Sequence, residues 1–399
     1  MAVSETGRGV TYARGFTAGA VAAGVKQAGT ARLDVALIVS DRPAVAGAVF
    51  TTNQVIAAPC ILTRRHVAGG PLRAIVVNSG NANACTGAQG DRDAAAMAGA
   101  AAERLGCGSE EIAVASTGVI GIPLPMDRVG PAIAAVQPSV GGWDDASRAI
   151  MTTDTRPKVA ERVVDVGAHA VRIGGIAKGA GMIHPNMATL LVFITTDAAI
   201  DGPRLQRAVS AAADGSFNAI SVDGDTSTND TLLVLANGAS GTTVSDAELP
   251  AFAAGLAEVC LELARAIVTD GEGVTKVFEV RVGGAATEAD AVLAARTITT
   301  SNLVKTAVHG GDPNWGRILA AAGRSGARVD ASRASVQIGG IVVFATGAPL
   351  PVDDAAIRAA LGQAEIVIEV DLGLGDGAAR AWGTDLSAEY VKINAEYTT

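Results

Sequence analysis

The stretch KGAGMIHPNMATLLVFI, residues 178–194, lies near the middle of the 399-residue chain. Its first part is rich in glycine and contains a proline, which predicts a tight turn. Its second part, from Leu190 onward, is a run of Leu, Val, Phe and Ile, which predicts a buried strand. Thr189 stands at the junction, so a hydroxyl group lies directly between the predicted turn and the predicted strand.

This junction suits an N-terminal nucleophile. A strained turn can press the Thr189 hydroxyl against the Ala188 carbonyl, which permits an N-to-O acyl shift followed by hydrolysis of the ester. The freed α-amine would titrate near ~7.7–8.0 and could act as general base for its own hydroxyl. Alternatively, Thr189 is an ordinary β-branched strand residue. Spacing alone favours this alternative, because glycine-rich turns before strands are common.

Around this stretch, short β-branched runs alternate with Ala-rich segments of helical pattern, which predicts a layered α/β fold. The predicted strands are Val35–Ser40, Ala74–Asn78, Glu111–Ala115, Ala170–Ile176, Leu190–Thr195 and Leu232–Ala236. The predicted helices are Asp91–Leu105, Asp127–Val136, Gly202–Asp214 and Asp246–Val268, and the three aspartates that open them are expected to be helix caps.

A second domain is predicted toward the C-terminus, because the pattern changes after Asp270-Gly271-Glu272-Gly273. We expect a catalytic domain over residues 1–281 and a smaller α/β domain over residues 282–399. Around and beyond this boundary, strands are predicted at Val277–Val282, Ser335–Phe344 and Ile366–Leu372, and a helix at Ala289–Thr299.

Composition excludes several classes of partner. The net charge is −9 and no basic stripe is interleaved with aromatic residues, which argues against nucleic acid. No uncharged apolar run approaches the ~20 residues of a membrane helix and no leader is recognisable, so the expected location is the cytoplasm. The cysteines form no CxxC pair and do not cluster with histidines, so we expect isolated buried thiols, no metal site and no cofactor.

Three glycine-rich or acidic segments resemble ligand-binding loops but have simpler explanations. Residues 174–181 lack the Gly-Lys-Ser/Thr order of a phosphate-binding loop, and Pro185 follows where a helix should run. Residues 373–378 match the GxGxxA dinucleotide pattern, but no helix follows, so a hairpin turn is predicted. Residues 223–230 resemble a calcium loop with Thr228 in place of its glycine.

The sequence resembles the ornithine acetyltransferase family, also called glutamate N-acetyltransferase, over nearly its whole length. The string at residues 178–198 is similar to that family's self-cleavage site, with Ala180 where family members often have serine. Further matches follow in one order: Gly15-Phe16 with Ala20–Lys26, Val77–Gly87, Ala115–Gly121, Thr152–Thr155, Val222–Asp230, Asp270–Gly273, Gly311–Arg317 and Ile393–Thr399.

The resemblance implies an enzyme that moves an acetyl group from N-acetylornithine to glutamate in arginine biosynthesis. It implies a self-processing, N-terminal-nucleophile-like catalytic domain that cuts itself between Ala188 and Thr189 into fragments 1–188 and 189–399. A heterotetramer with two copies of each fragment is also implied. Whether acetyl-CoA is a second acetyl donor stays open.

The resemblance also implies roles for individual residues. Thr189 would be the nucleophile, and Thr117 and Gly118 would stabilise the oxyanion, to which preorganised donors contribute about 3–4 kcal/mol. Substrate contacts would come from Thr152, Lys178, Thr189, Glu272, Asn394 and Thr399. Without the resemblance, Lys178 and Glu272 would be assigned as solvated surface charges. A second role open to Lys178 is to favour the neutral, basic form of the Thr189 amine.

Two other function classes remain as alternatives. One is a self-processing amidohydrolase or aminopeptidase that uses water as acceptor, and the other is a non-enzymatic binding or assembly protein. The last ten residues bear on substrate access. Tyr390–Asn394 largely alternates apolar and polar residues, which predicts a paired strand, and we expect this tail to pack over the Thr189 pocket.

Overall fold

The structure, a computed structural model, describes residues 7–184 and 190–396. It confirms the predicted layered α/β class, with two mixed β-sheets and helices packed against them. The strands, in chain order, are β1 (Phe16–Val21), β2 (Val35–Phe50), β3 (Leu72–Asn81), β4 (Ile112–Val119), β5 (Lys158–Val166), β6 (His169–Lys178), β7 (Leu191–Thr196), β8 (Ile220–Ser221), β9 (Thr231–Ala236), β10 (Val277–Ala285), β11 (Ser335–Ile338), β12 (Ile341–Ala345), β13 (Ala348–Pro349), β14 (Glu365–Asp371) and β15 (Gly377–Thr384).

The helices lie on the outer faces of the sheets and between strands. They are α1 (Ala58–Gly69), α2 (Gly87–Leu105), α3 (Met126–Ala135), α4 (Trp143–Ala149), α5 (Gly202–Asp214), α6 (Leu249–Val268), α7 (Glu288–Thr299), α8 (Asn302–Gly310), α9 (Trp315–Gly323), α10 (Asp354–Leu361) and α11 (Ala388–Glu396).

The first sheet has the strand order β4-β3-β2-β9-β7-β6-β5, with β1 paired to β2. The long strand β2 divides this sheet into two halves and belongs to both. Its first part, Val35–Val39, pairs with β3 in one half, and its second part, Val45–Phe50, pairs with β9 in the other. Between these two stretches the register of β2 shifts, and the two halves of the sheet face each other across a shared apolar core.

Alternating side chains along β2 explain the layering. Ala36 and Ile38 point into the core between the two halves, which also receives Phe193 and Leu235 from the opposite half. Leu37 and the residues two positions before and after it point to the other face of the sheet, toward α2 and α3. The outer face of β5, β6, β7 and β9 is covered by α5 and α6. The result is a helix–sheet–sheet–helix stack, which buries both faces of each half-sheet.

The predicted turn-to-strand junction occupies the connection between β6 and β7. These strands pair antiparallel, with Lys178 opposite Leu191, so the chain leaves the sheet after Lys178 and returns to it at Leu191, with twelve residues between them. Ala188 and Thr189 lie within this connection, outside the described residues.

The second sheet has the order β13-β12-β11-β14-β10-β15-β8. The sequence-predicted domain boundary at residue 281 falls inside β10, and β8, which comes from the first part of the chain, pairs in parallel with β15. Buried Lys305 on α8 also crosses between the parts, because its ammonium donates to the Val222 carbonyl at 2.7 Å and to the Thr384 hydroxyl at 2.9 Å.

The predicted helix caps were wrong. Helices α2, α3 and α6 begin after Thr86, Pro125 and Glu248, not at the predicted aspartates. In α6, Pro250 occupies the first turn, where its missing N–H is not needed. The carboxylate of Asp246 is instead held by the Arg204 guanidinium at 2.8 Å.

Three further local predictions were also wrong. Tyr390–Asn394 lies within helix α11 rather than in a strand. Residues 373–376 do not close a hairpin, because β14 and β15 each pair with β10, which lies between them. The thiols of Cys60 and Cys260 are buried as expected, but that of Cys85 is exposed.

No helix in residues 7–184 and 190–396 combines the length and apolar character needed to cross a bilayer.

A pair of helical glycines tests the packing of α6 on β5. A Cβ added at Gly255 would lie 2.2 Å from Val164 Cγ2, whereas a Cβ at Gly99 in α2 meets nothing outside its own helix. We expect Gly255→Ala to lower the free energy of unfolding by about 1–3 kcal/mol, as overpacked cores do. Gly99→Ala should raise it by up to about 1 kcal/mol through helix propensity. Thermal denaturation of both variants measures this, and a Gly255→Ala protein as stable as Gly99→Ala would contradict the packing argument.

Candidate active site

Six of the residues predicted to act on substrate line one cavity of about 720 Å³, a volume that includes its open mouth. They come from the ends of different elements and from α11: Thr117, Gly118, Thr152, Lys178, Glu272 and Asn394. Thr189, Ala188 and Thr399, which were also predicted to belong to the site, lie outside the described residues.

Thr117 and Gly118 lie at the carboxyl end of β4, where it runs parallel to β3. Gly118 has φ of +132°, and a Cβ there would stand 2.3 Å from the Gly80 carbonyl carbon, so only glycine fits. The Lys178 ammonium donates a hydrogen bond to Thr117 Oγ1 at 3.2 Å. The hydroxyl hydrogen of Thr117 is therefore left to be donated to another acceptor, such as an oxyanion.

Lys178 is fully buried, contrary to what the sequence alone suggested. Burial lowers the pKa of its ammonium, and the adjacent Lys158 lowers it further, while Asp154, Asp230 and Glu272 oppose the shift. An ammonium whose pKa is lowered by burial is both a strong local charge and a ready proton donor.

A cluster of buried charged side chains lies next to Lys178. Lys158 has no exposed side-chain surface, and its Nζ lies 2.6 Å from Asp154 Oδ1 and 2.6 Å from Asp270 Oδ2. Asp154 Oδ1 also accepts the Gly179 N–H at 2.7 Å. Burial opposes ionisation of Asp154, but Lys178, Lys158 and the Gly179 N–H together hold its pKa below the usual value. The cluster thus ties the start of β5, the end of β6 and the segment after α6 together.

Thr152 is positioned by the same cluster. Its backbone N–H donates to Asp154 Oδ2 at 3.0 Å, and its carbonyl accepts from Arg32 Nη2 at 3.1 Å. Both backbone groups are therefore occupied, and the residue contributes to the cavity wall.

Glu272 and Asn394 meet at the cavity wall. Asn394 Nδ2 donates to Glu272 Oε2 at 2.9 Å and to the Tyr390 carbonyl one helical turn earlier at 3.1 Å. Glu272 itself is anchored through its backbone N–H, which donates to the Ala180 carbonyl at 2.9 Å. A Cβ at Gly181 would stand 2.4 Å from Glu272 Oε2, so the glycine allows this close approach.

Asp223 organises the segment just before residue 185. Its carboxylate accepts the backbone N–H of Met182 at 2.5 Å and that of Ile183 at 2.9 Å, and the Tyr390 hydroxyl donates to it at 3.3 Å. Burial raises the pKa of Asp223 to about 6, although the backbone N–H groups oppose this. Helix α11 therefore contacts both Asp223 and Glu272, as expected for a tail that covers the pocket.

No group of three or more His, Cys, Asp or Glu side chains within the described part of the chain has the arrangement of a metal site. In the 223–230 segment, the carboxylates of Asp223 and Asp230 instead accept hydrogen bonds from backbone N–H groups.

Comparison with known proteins identifies the family. The ArgJ family model matches residues 17–399. The chain belongs to the ArgJ family. It is 53% identical over 396 residues to the arginine biosynthesis bifunctional protein ArgJ of Symbiobacterium thermophilum, covering 98% of both chains. The protein of the same name from Thermus thermophilus is 50% identical over 395 residues, covering 98% of this chain and all of that one.

A solved ArgJ structure is also similar. The crystal structure of arginine biosynthesis bifunctional protein argJ from Bacillus halodurans matches with a TM-score of 0.50 and 43% identity. The match covers 98% of that chain and 51% of this one.

Sequence reasoning missed several residues of this ArgJ site. Asp154, Asp223, Asp230 and Asp270 lie in segments that carried the family resemblance, but none received a role. Asp223 and Asp270 each directly precede a glycine and Asp230 lies just before a predicted strand, which were the available signals, whereas Asp154 gave none. Lys158 gave no signal, because its partners are 4 and 112 residues away along the chain.

Removing the cation of the buried cluster should destabilise the protein more than removing the cation of an exposed ion pair. Lys158→Met would leave Asp154 and Asp270 buried without their shared cation, which costs about 3–5 kcal/mol of unfolding free energy. Arg148→Met removes a cation from an exposed i,i+4 pair with Asp144 and should leave stability unchanged. Melting temperatures of the two variants test this. Equal melting temperatures would show that the cluster does not hold the site together.

Proposed function

We propose that this ArgJ-family chain transfers an acetyl group from N-acetylornithine to glutamate, giving ornithine and N-acetylglutamate in arginine biosynthesis. The observation that carries the proposal is the contact between the Lys178 ammonium and the Thr117 hydroxyl beside Gly118. This contact lies at the wall of a cavity that the chain reaches just before Thr189. The family's relatives carry arginine biosynthesis in their names.

The cavity has the chemistry that the substrates require. Its wall carries both charged and hydroxyl side chains, which an acetylated amino acid with a charged side chain needs. Glu272, held in place by the Asn394 amide, supplies a carboxylate for the side-chain ammonium of ornithine, and Thr152 and Thr399 supply hydroxyl groups for the substrate's α-carboxylate. The Thr117 hydroxyl and the Gly118 N–H are assigned to the oxyanion that forms when Thr189 attacks the acetyl carbonyl.

Self-cleavage between Ala188 and Thr189 would supply the nucleophile. The proposed cleavage bond lies in the connection between the paired residues Lys178 and Leu191, beside the cavity that Lys178 lines. Nearly the whole solved Bacillus halodurans chain corresponds to only 51% of this one, about the share of either proposed fragment. We further propose that two copies of each fragment assemble into a heterotetramer.

Acetyl-CoA is proposed as a second donor to the same Thr189, in keeping with the bifunctional name of the relatives. Both donors would form the same acetyl-Thr189 ester, so they would need no second nucleophile. The amidohydrolase alternative is not favoured, because the likeness to ArgJ proteins extends over 98% of the chain.

The central prediction concerns the mass of the second fragment. Purified protein should separate into fragments 1–188 and 189–399, and N-acetylornithine without glutamate should add one acetyl group to the second fragment. Added glutamate should remove that group as N-acetylglutamate, whereas a hydrolase would release acetate without glutamate. Intact-mass spectrometry measures both steps.

Thr189 variants are the controls for that experiment. Thr189→Ala should give one uncut, inactive chain, and Thr189→Ser should still cut because it keeps a hydroxyl. An uncut wild-type chain, or acetyl groups on fragment 1–188, would contradict the proposal.

Thr117 should act mainly in the transition state. Thr117→Val keeps the shape but removes the hydroxyl, so we expect kcat to fall by about 10²–10³, with little change in KM. Thr117→Ser should recover most of the loss. Steady-state kinetics with varied N-acetylornithine measures the split between kcat and KM. A raised KM at normal kcat would assign Thr117 to substrate binding instead.

A further inference from the structure

One buried carboxyl group beside the cleavage site has an unsatisfied oxygen. Asp230 stands directly before β9 with no exposed surface. Its Oδ1 accepts the Leu190 N–H at 2.9 Å, but its Oδ2 has no hydrogen-bond partner among the described residues. A buried polar atom without a partner costs about 1–3 kcal/mol, so its presence calls for a functional explanation.

The nearby side chains do not satisfy this oxygen. The Thr51 hydroxyl lies within hydrogen-bonding range of the Asp230 carboxyl group, but its single hydrogen is donated to the Ser227 carbonyl at 2.6 Å and so is not available to Oδ2. The Lys178 ammonium is bound to Thr117. Because the Asp230 side chain is buried, its pKa is raised well above the usual value, although the Leu190 N–H, Lys178 and Thr51 oppose the shift.

The covalent chain places Asp230 next to Thr189. Leu190 is held on both sides, because its N–H binds Asp230 Oδ1 and its carbonyl accepts the Thr231 N–H at 3.1 Å. Three covalent bonds separate the Leu190 nitrogen from the Thr189 nitrogen, so the two lie within roughly 4 Å of each other. The Asp230 carboxyl group is thus held by the residue that directly follows the backbone nitrogen that cleavage would turn into an amine.

Asp230 is also tied to the oxyanion segment. The neighbouring Asn229 donates from Nδ2 to the Ala82 carbonyl at 2.6 Å and to the Ser116 carbonyl at 2.9 Å. Ser116 directly precedes Thr117, so the carboxyl of Asp230 and the oxyanion donors are held in one rigid arrangement.

We propose that Asp230 is a positioning residue for the amino group that self-cleavage frees at Thr189. In this arrangement, which rests on the function proposed above, Oδ2 accepts one N–H of that amine and turns the nitrogen lone pair toward the Thr189 hydroxyl. When the Thr189 oxygen bonds to the acetyl carbon, its proton passes to the amine. The amine then gives this proton to the ornithine nitrogen as the acetyl–nitrogen bond breaks. Asp230 keeps its hydrogen bond throughout. Burial disfavours the charged carboxylate, so the ionised carboxylate and the transient ammonium stabilise each other as a pair.

Asp230→Asn tests this assignment. The asparagine carbonyl can still accept the Leu190 N–H, but its NH₂ group cannot accept a hydrogen bond from the amine. We expect slower self-cleavage, because that step generates the amine. In the cut enzyme we expect kcat to fall at least about tenfold, with KM for N-acetylornithine within about twofold. A variant that melts like the wild type but stays uncut supports the same role.

Asp197→Asn is the matched control. Asp197 is equally buried, follows the other end of β7, and accepts the Arg172 N–H at 2.8 Å. This variant should cut and turn over like the wild type. Normal kcat and normal cleavage in Asp230→Asn, or an equal loss in Asp197→Asn, would overturn the assignment. If the wild type itself neither cuts nor becomes acetylated, the proposed function fails instead.

Discussion

The hydrogen-bonded ion pairs of Lys158 with Asp154 and Asp270 are the interaction on which the site depends. One ammonium without exposed surface joins the start of β5 to the segment after α6, and Asp154 extends the link to Gly179 at the end of β6. The backbone N–H of Thr152 donates a hydrogen bond to the same carboxylate. Three segments that are distant in sequence are thereby fixed around Lys178. Burying such charges is costly, so the cluster is better understood as a device that specifies geometry than as a source of stability.

The cluster also explains why Lys178 can act where it lies. Burial lowers the pKa of the Lys178 ammonium, and the nearby carboxyl group of Asp154 opposes that shift most strongly. Because the Lys178 ammonium donates a hydrogen bond to the Thr117 oxygen, the hydroxyl hydrogen of Thr117 points away from the ammonium. The charged Lys178 thus orients the neutral Thr117 hydroxyl group, which can stabilise developing negative charge without forming a fixed ion pair.

The sequence predicted the elements that depend on local pattern and failed where partners are distant. The strand from Leu191 was recognisable because five apolar residues follow a glycine- and proline-rich turn. The burial of Lys178 was not, since it depends on residues that only the folded sheets bring near. Local pattern misled at Tyr390–Asn394: in the helix, these two residues lie one turn apart and share a hydrogen bond, which a strand would not allow. The connection after β14 was mistaken for a hairpin, because nothing local shows that β10 separates β14 from β15.

In the proposed mechanism, self-cleavage and acetyl transfer place the same demands on the site. Both begin with attack of the Thr189 hydroxyl on a carbonyl carbon, and both create an oxyanion that needs donors at a fixed position. Thr117 and Gly118 sit at the rigid end of β4, held by the close approach of Gly80, so they cannot adapt to two different positions. The acetyl carbonyl of the substrate must therefore take the place that the Ala188 carbonyl held before cleavage. The Ala188 end has to leave that place before substrate binds, which makes departure of the new C-terminus part of enzyme activation.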